Sequence, residues 1–366
     1  VRHWRDWRND LLASPRFQAF AARFPLTRGI TSRRAQQVFD LVAGFVYSQI
    51  LHACVELNLF EHLRAGPRKL ADLQRLTGLP EEGALRLLRA ASALGLLEKR
   101  DGDCYGLGPH GAALLGNAGA LSMVRHHKLL YADLVDPVAM LKGEGGPTSL
   151  SRFWAYARNG AREGVSDSEV ASYSELMTQS QTLVRRDVLD TISLAGVRRL
   201  VDIGGGEGAF AAEAAQRWPE LGVVTFDLPP VAARAQARFE QLELSGRAKG
   251  IGGNFHSDPL PEGADVMSLV RVLHDHDDGA AQFLLNRIAR FLPSGGRLIV
   301  AEPMAGIAGS EAMGEAYFGF YLMAMGSGRP RGADEIEAML QKAGFRQVRR
   351  LRTPRPMLAS VIEAIR

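Results

Sequence analysis

Apolar positions along the chain recur in two different rhythms. From Gln37 to Leu63 they follow helical spacing through Phe39, Val42, Phe45, Val46, Ile50 and Val55, which predicts an amphipathic helix. Residues 70–79 and then Pro80 to Leu94 repeat that spacing as helix, turn and helix. Gly78 supplies the turn, Pro80 opens the second helix, and Ala84, Leu87, Leu88, Ala91 and Leu94 form its core stripe. Leu97 to Leu107 reads as a hairpin, completing a winged-helix plan. Residues 120–190 read as mostly helical, with a break at Gly143-Glu144-Gly145-Gly146-Pro147. From residue 198 the rhythm changes. Short apolar runs at 199–203, 222–226, 248–252, 265–270 and 297–301, with a final pair after 346, alternate with helical stretches. That alternation predicts an α/β fold with a doubly wound, Rossmann-like sheet, whose ligands bind at the carboxyl ends of the strands. The expected divisions are an arm over 1–35, a winged-helix unit over 36–118, a helical connector over 119–195 and the sheet domain over 196–366.

Composition narrows the class only a little. The 366 residues are 46% hydrophobic and 23% charged, with a net charge of +4, ordinary values for a globular protein. No uninterrupted run of 18 apolar residues occurs, so no membrane span is expected. The chain begins Val-Arg-His-Trp-Arg, without an apolar segment, so no signal peptide is expected; the lack of an initiator Met suggests a trimmed or processed start. Cys54 and Cys104 stand apart without metal or redox spacing, which fits a reducing cytoplasm. Charge is unevenly placed. Arg2, Arg5, Arg8, Arg16, Arg23, Arg28, Arg33 and Arg34 crowd the first segment among Trp4, Trp7, Phe17, Phe20 and Phe24, punctuated by Pro25 and Gly29. Two readings fit this arm: packing on a partner subunit, or resting on an anionic membrane surface. Arg346, Arg349, Arg350, Arg352 and Arg355 crowd the other end. A winged helix raises the question of DNA, but Glu81 and Glu82 would meet phosphates, so dimerisation is the expected role and no nucleic acid is expected.

The densest chemical signal is Val201-Asp202-Ile203-Gly204-Gly205-Gly206-Glu207-Gly208, a strand running through a glycine turn into a helix. Such a turn lets backbone approach a ligand closely. One strand later Val223-Val224-Thr225-Phe226-Asp227 places a carboxylate where it can accept both hydroxyls of a ribose. Gly204, Gly206 and Ala209 also satisfy a dinucleotide pattern. Asp202, two residues before the first glycine, instead suits a ligand with an ammonium group and no pyrophosphate. The remaining chain also leaves no second large domain for a dehydrogenase substrate. The expected cofactor is therefore S-adenosylmethionine, without a metal.

Val272-Leu273-His274-Asp275 follows the fourth strand of the sheet, where a methyl acceptor needs a base. A neutral His274 can take a hydroxyl proton, and Glu302, ending the next strand, can hold its far ring nitrogen as in a triad. His276 is the competing base. The competing structural reading makes His274 a helix-start residue, with Asp275 as the cap. The cluster from His274 to Asp278 has no zinc spacing. In Tyr317-Phe318-Gly319-Phe320-Tyr321-Leu322-Met323-Ala324-Met325-Gly326, and around Met177, the aromatic and Met positions fit either core or an apolar substrate pocket, with Phe320 and Met323 as lining candidates.

Taken together, these motifs resemble the class I O-methyltransferases of the caffeate and hydroxyindole type, from about residue 37 to the end. The winged-helix front, the glycine loop, Phe226-Asp227-Leu228-Pro229, Gly253-Asn254-Phe255, Val272-Leu273-His274-Asp275 and Leu340-Gln341-Lys342-Ala343-Gly344-Phe345 carry the resemblance. It implies S-adenosylmethionine held by Gly204, Asp227, Asn254 and Phe255, with Gly206 and Leu228 alongside, Gln181 near the cofactor carboxylate, Met177 lining the substrate, His274 as catalytic base and an intertwined homodimer. The departures are His276 where the family usually carries Trp, Pro330 where a second carboxylate usually follows a Gly-Lys motif, and Asn254 for a common Asp. The arm and Phe45-Val46-Tyr47-Ser48-Gln49 are similar to the bacterial carotenoid branch, which implies a tertiary 1-hydroxyl on a long polyene as acceptor. The expected location is cytoplasmic, with peripheral contact at the inner or intracytoplasmic membrane. A phenolic or polyketide acceptor, or a winged-helix regulator that senses a cofactor, are the competing functions.

Overall fold

The computed structural model describes residues 3–159 and 181–366, in two compact units, Val1–Asn117 and Ala118–Arg366. In the first, helices Trp4–Ala13 and Pro15–Arg23 are separated by Ser14, which caps the second by accepting from the Phe17 N–H. One helix then runs Arg28–Glu56. Gly29 lies inside it rather than interrupting it, and the expected division at residue 35 falls within it. This helix is long and apolar enough to cross a membrane by length and composition. The sequence expectation of no span relied on an unbroken apolar run, a stricter test than an average that tolerates scattered polar residues. Its stripe also differs from expectation. Phe39, Val42, Phe45 and Val46 are exposed, and only Cys54 and Val55 are buried.

Helices Leu70–Thr77 and Glu81–Ala93 follow, with Gly78 and Pro80 between them, and then β2 (Leu97–Lys99) and β3 (Cys104–Leu107). With β1 (Arg68–Lys69) these strands make a small antiparallel sheet in the order β1-β3-β2. Leu73, Ala84, Leu88, Ala91, Leu97 and Tyr105 close its core, so the winged-helix plan is present.

The second unit is built on seven strands: β4 (Arg199–Ile203), β5 (Gly222–Asp227), β6 (Ala248–Gly252), β7 (Val266–Val270), β8 (Arg297–Glu302), β9 (Gln347–Leu351) and β10 (Ser360–Ile365). Their order is β6-β5-β4-β7-β8-β10-β9, with β4 to β8 parallel and β10 antiparallel to both neighbours. Successive residues enter different cores. Val201, Leu298 and Val300 join one buried cluster, while Leu200, Ile299 and Ala301 join the other. Both faces are covered, which is why these strands read as continuous apolar runs. The order reverses between β4 and β7, and that reversal opens a crevice at the carboxyl ends of the strands.

Residues 118–159 contribute helices Ala118–Asp133, Pro137–Leu141 and Ser149–Asn159. Within this unit they pack on the segment Ala312–Met325: His126 Nε2 bonds the Tyr321 hydroxyl at 2.8 Å, and Trp154 Nε1 donates to the same hydroxyl at 3.2 Å. The C-terminal arginines are largely answered by acids. Arg349 donates to Glu363, Arg350 to Asp334 and Glu337, and Arg355 to Asp187.

Candidate active site

The turn after β4 is shaped by groups that hold one another. Gly206 has φ +60°, a left-handed conformation that favours glycine, and a Cβ there would meet nothing within 4 Å, so its side toward the crevice is open. Its N–H donates to Asp227 Oδ2 at 2.8 Å, while Asp227 Oδ1 accepts from the Leu228 N–H at 2.7 Å. The strand-end carboxylate is thereby fixed, with a second lone pair left on each oxygen. Burial raises the Asp227 pKa, against the two backbone donors that lower it. Beneath the loop Asp202 is fully buried. Ser268 donates to its Oδ1 at 2.6 Å, and Oδ2 has no hydrogen-bond partner among the described residues. Burial pushes its pKa up to about 7. An open glycine cradle and a fixed strand-end carboxylate fit a ligand that carries a ribose, while the unpartnered Asp202 oxygen lies beneath Gly205.

Beyond β6, Asn254 Oδ1 accepts from the His256 N–H at 2.9 Å in a local turn, and Phe255 lies near Gly204. The Phe255 ring meets His276 edge-on at 5.4 Å between centroids, and His256 meets His276 at 5.2 Å. His276 is thus part of a ring cluster with Phe255. The imidazole that meets Glu302 belongs to His274.

His274 lies in a single 3-10 turn, Leu273–Asp275, just past β7. It is buried. Its Nδ1 meets Glu302 Oε2, and Glu302 Oε1 accepts from the Val272 N–H at 2.9 Å and the Leu273 N–H at 2.7 Å. Its Nε2 is 3.1 Å from Asp275 Oδ1. Asp275 therefore pairs with the imidazole, a correction to its reading as a helix cap. Burial alone would lower the His274 pKa, but the carboxylates of Asp275 and Glu302 outweigh it, and the imidazole titrates above its usual 6.5. Glu302 at Nδ1 fits the His–carboxylate half of a triad, and Nε2 faces the Asp275 carboxylate in this arrangement.

The turn has further supports that lie far away in sequence. Arg331, buried, donates to the Leu273 carbonyl and to the His276 carbonyl, each at 2.7 Å, and pairs with Asp278. Gly328, with φ +82°, passes so close that a Cβ there would sit 2.0 Å from the His274 carbonyl oxygen. Phe318 presents its ring edge-on to His274, with centroids 6.3 Å apart.

The structure gathers Asp202, Gly204, Gly206, Asp227, Leu228, Asn254, Phe255, His274 and Glu302 at the carboxyl ends of β4 to β8. Gln181 stands at the start of the helix Thr182–Thr191, half-buried. Tyr321, Leu322, Ala324 and Met325 are core, whereas Phe320 and Met323, one helical turn apart, are only partly buried. Met177 lies outside the described residues. Among the described residues, no group of three or more His, Cys, Asp or Glu could hold a metal ion. Sequence reasoning missed Asp275, Arg331, Gly328 and Phe318 as the surroundings of His274; only the dense charge of His274 to Asp278 hinted at them.

Comparison with known proteins names the class. Residues 131–346 match the model of the O-methyltransferase domain, and residues 39–117 match the O-methyltransferase dimerisation domain. The demethylspheroidene O-methyltransferase of Cereibacter sphaeroides is 46% identical over 97% of this chain and 93% of its own length. That of Rhodobacter capsulatus is 43% identical, over 96% of this chain and 88% of its own. The solved structure of the mitomycin 7-O-methyltransferase MmcR shares the fold with a TM-score of 0.76 at 24% identity, covering 93% of this chain and 99% of that one. The chain belongs to the O-methyltransferase family. It is an S-adenosylmethionine-dependent enzyme with its own dimerisation domain, which supports a homodimer.

Proposed function

We propose that this enzyme methylates the tertiary 1-hydroxyl of an acyclic carotenoid, with His274 as general base. The pairing of His274 with Glu302 at the crevice carries the mechanistic part, and the demethylspheroidene relatives carry the acceptor class. S-adenosylmethionine supplies the electrophilic methyl group. Gly204, Gly206, Asp227, Leu228, Asn254, Phe255 and Gln181 would hold it, with Asp227 toward the ribose and Asp202 toward the ammonium end. His274 accepts the acceptor's hydroxyl proton at Nε2, and Glu302 stabilises the imidazolium that forms. A tertiary alcohol is far less acidic than a phenol, so this reaction leans heavily on its base. Phe320, Met323 and Met177 would line the apolar end of the pocket.

Such an acceptor resides in membrane, and the proposed location is the cytoplasmic side, with peripheral membrane contact. Trp4, Trp7, Phe20, Phe24 and Leu26 of the arm are exposed. Arg5, Arg16, Arg23, Arg28, Arg33 and Arg34 form no ion pair among the described residues. The apolar outer face of the helix Arg28–Glu56 belongs, on this reading, to the partner subunit rather than to lipid, because most of it lies within the dimerisation-domain match.

Labelled S-adenosylmethionine with a panel of 1-hydroxycarotenoids, phenols and phenolic polyketides tests the acceptor. Label confined to the carotenoid ether is expected; label confined to a phenol would replace the assignment. Sedimentation with anionic and neutral liposomes at low and high salt tests the arm. Preference for anionic liposomes that fades with salt is expected, and no preference would assign the arm to the dimer.

A further inference from the structure

β7 ends at Val270, and the chain must turn sharply to present His274. Arg271 makes that turn at φ +57°, the left-handed region that a residue with a Cβ rarely adopts. Glycine would adopt it freely and asparagine readily. A long cationic side chain is therefore kept here against the local backbone preference, and strain of this kind gathers at functional sites. The guanidinium lies over the face of Phe318, with Cζ 5.7 Å from the ring centroid, and Phe318 in turn stands edge-on to His274. Arg271 makes no ion pair with a carboxylate among the described residues.

His274 is in the opposite situation. Asp275 faces Nε2 from its own turn, and Glu302 faces Nδ1 from the end of β8. Tyr317 and Phe318, from the segment Ala312–Phe318, are uncharged. Arg331, the other cation at this turn, is answered by Asp278 and donates to backbone carbonyls. Two carboxylates around one imidazole favour the imidazolium, which cannot accept a proton.

We propose that Arg271 is a positioning residue that acts through His274: its charge limits how far Asp275 and Glu302 hold the imidazole protonated, and so keeps Nε2 available as a base. The proposal rests on the reading of His274 as that base. Burial is the largest downward influence on the His274 pKa, and the guanidinium adds to it against the carboxylates. A paired Arg271 would have this field cancelled at its source.

The test is kcat/KM against pH, with demethylspheroidene and S-adenosylmethionine, for Arg271→Gln, Arg271→Asn and Arg271→Lys. Gln keeps the backbone demand without charge, Asn tolerates it without charge, and Lys keeps the charge. For Gln and Asn the acid limb should move up, slower than the parent on the acid side and near the parent rate on the alkaline side. Lys should stay near the parent. Equal loss at every pH in all three variants would overturn the proposal in favour of a structural role. A raised KM with an unmoved limb would overturn it in favour of substrate contact. NMR titration of the His274 ring in the S-adenosylhomocysteine complex needs neither acceptor nor turnover, so it still reads if the acceptor assignment fails. A higher midpoint in the Gln variant, with Lys unmoved, is expected; identical midpoints in all three variants would overturn the proposal.

Discussion

Glu302 is shared between the His274 ring and the backbone that carries that ring. One carboxylate oxygen meets Nδ1, and the other accepts from the Val272 and Leu273 N–H groups. A single acid at the end of β8 thereby holds both the imidazole and the turn that carries it, while Asp275 faces the other ring nitrogen.

Glu302→Gln separates those two tasks. The amide oxygen can still take the backbone N–H groups, but the amide nitrogen then faces Nδ1 and donates to it. The ring proton moves to Nε2, and the base is lost in an intact fold. We expect kcat to fall about 10²- to 10⁴-fold with cofactor affinity unchanged by calorimetry. A variant with near-parental kcat would remove Glu302 from the mechanism.

Because Asp275 and Glu302 outweigh burial, His274 titrates above 6.5. If His274 is the general base, its neutral form is the working one, so activity should rise with pH through that raised value, and the acid limb of kcat/KM should lie above 6.5. Stability runs the other way. A group whose pKa is raised on folding contributes stability that is present below its unfolded value and lost as pH rises through its folded value. An acid limb well below 6.5 would contradict the electrostatic account.

Gly328→Ala tests the packing behind the base. The added carbon meets the His274 carbonyl oxygen, in a conformation already unfavourable for alanine. Turnover should fall at least tenfold while the melting temperature changes less than in Arg331→Met, measured side by side. Unchanged turnover would mean that the turn yields without displacing the imidazole.

Arg331→Met leaves the carbonyls of Leu273 and His276 without their donor. The cost should be about 1–3 kcal/mol for each carbonyl that stays dry. A lowered denaturant midpoint with an unchanged slope is the expected result. A midpoint within error of the parent would show that water replaces the guanidinium.

Much of this is legible in the sequence. Strands β4, β5, β7 and β8 are legible because they are buried on both faces and read as largely apolar runs, whereas the edge strand β6 carries the exposed Lys249. Asp227 and Glu302 are legible because each ends a strand, and His274 because it follows β7 by four residues; parallel topology sends these positions to one crevice. What stayed hidden depends on chain segments that sequence does not place side by side. Arg331 and Gly328 reach the His274 turn from more than fifty residues away. Asp275 looked like a cap because a short acidic residue before a helix usually is one; its pairing depends on the ring orientation set by Glu302. The positive φ of Arg271 carries no sequence signal, since glycine or asparagine would be expected there. The long first helix was misjudged at its start because Pro25 and Gly29 read as punctuation, whereas only Pro25 lies in a break.

The most direct test of the central claim compares His274→Ala with His276→Ala in single-turnover methyl transfer from labelled S-adenosylmethionine to demethylspheroidene. With His274 as the base, His274→Ala should lose about 10²- to 10⁴-fold in rate and keep cofactor affinity. His276→Ala, a change in the ring cluster with Phe255, should keep most of the rate and weaken the cofactor instead. A near-parental rate for His274→Ala, with the loss falling on His276→Ala, would contradict that claim.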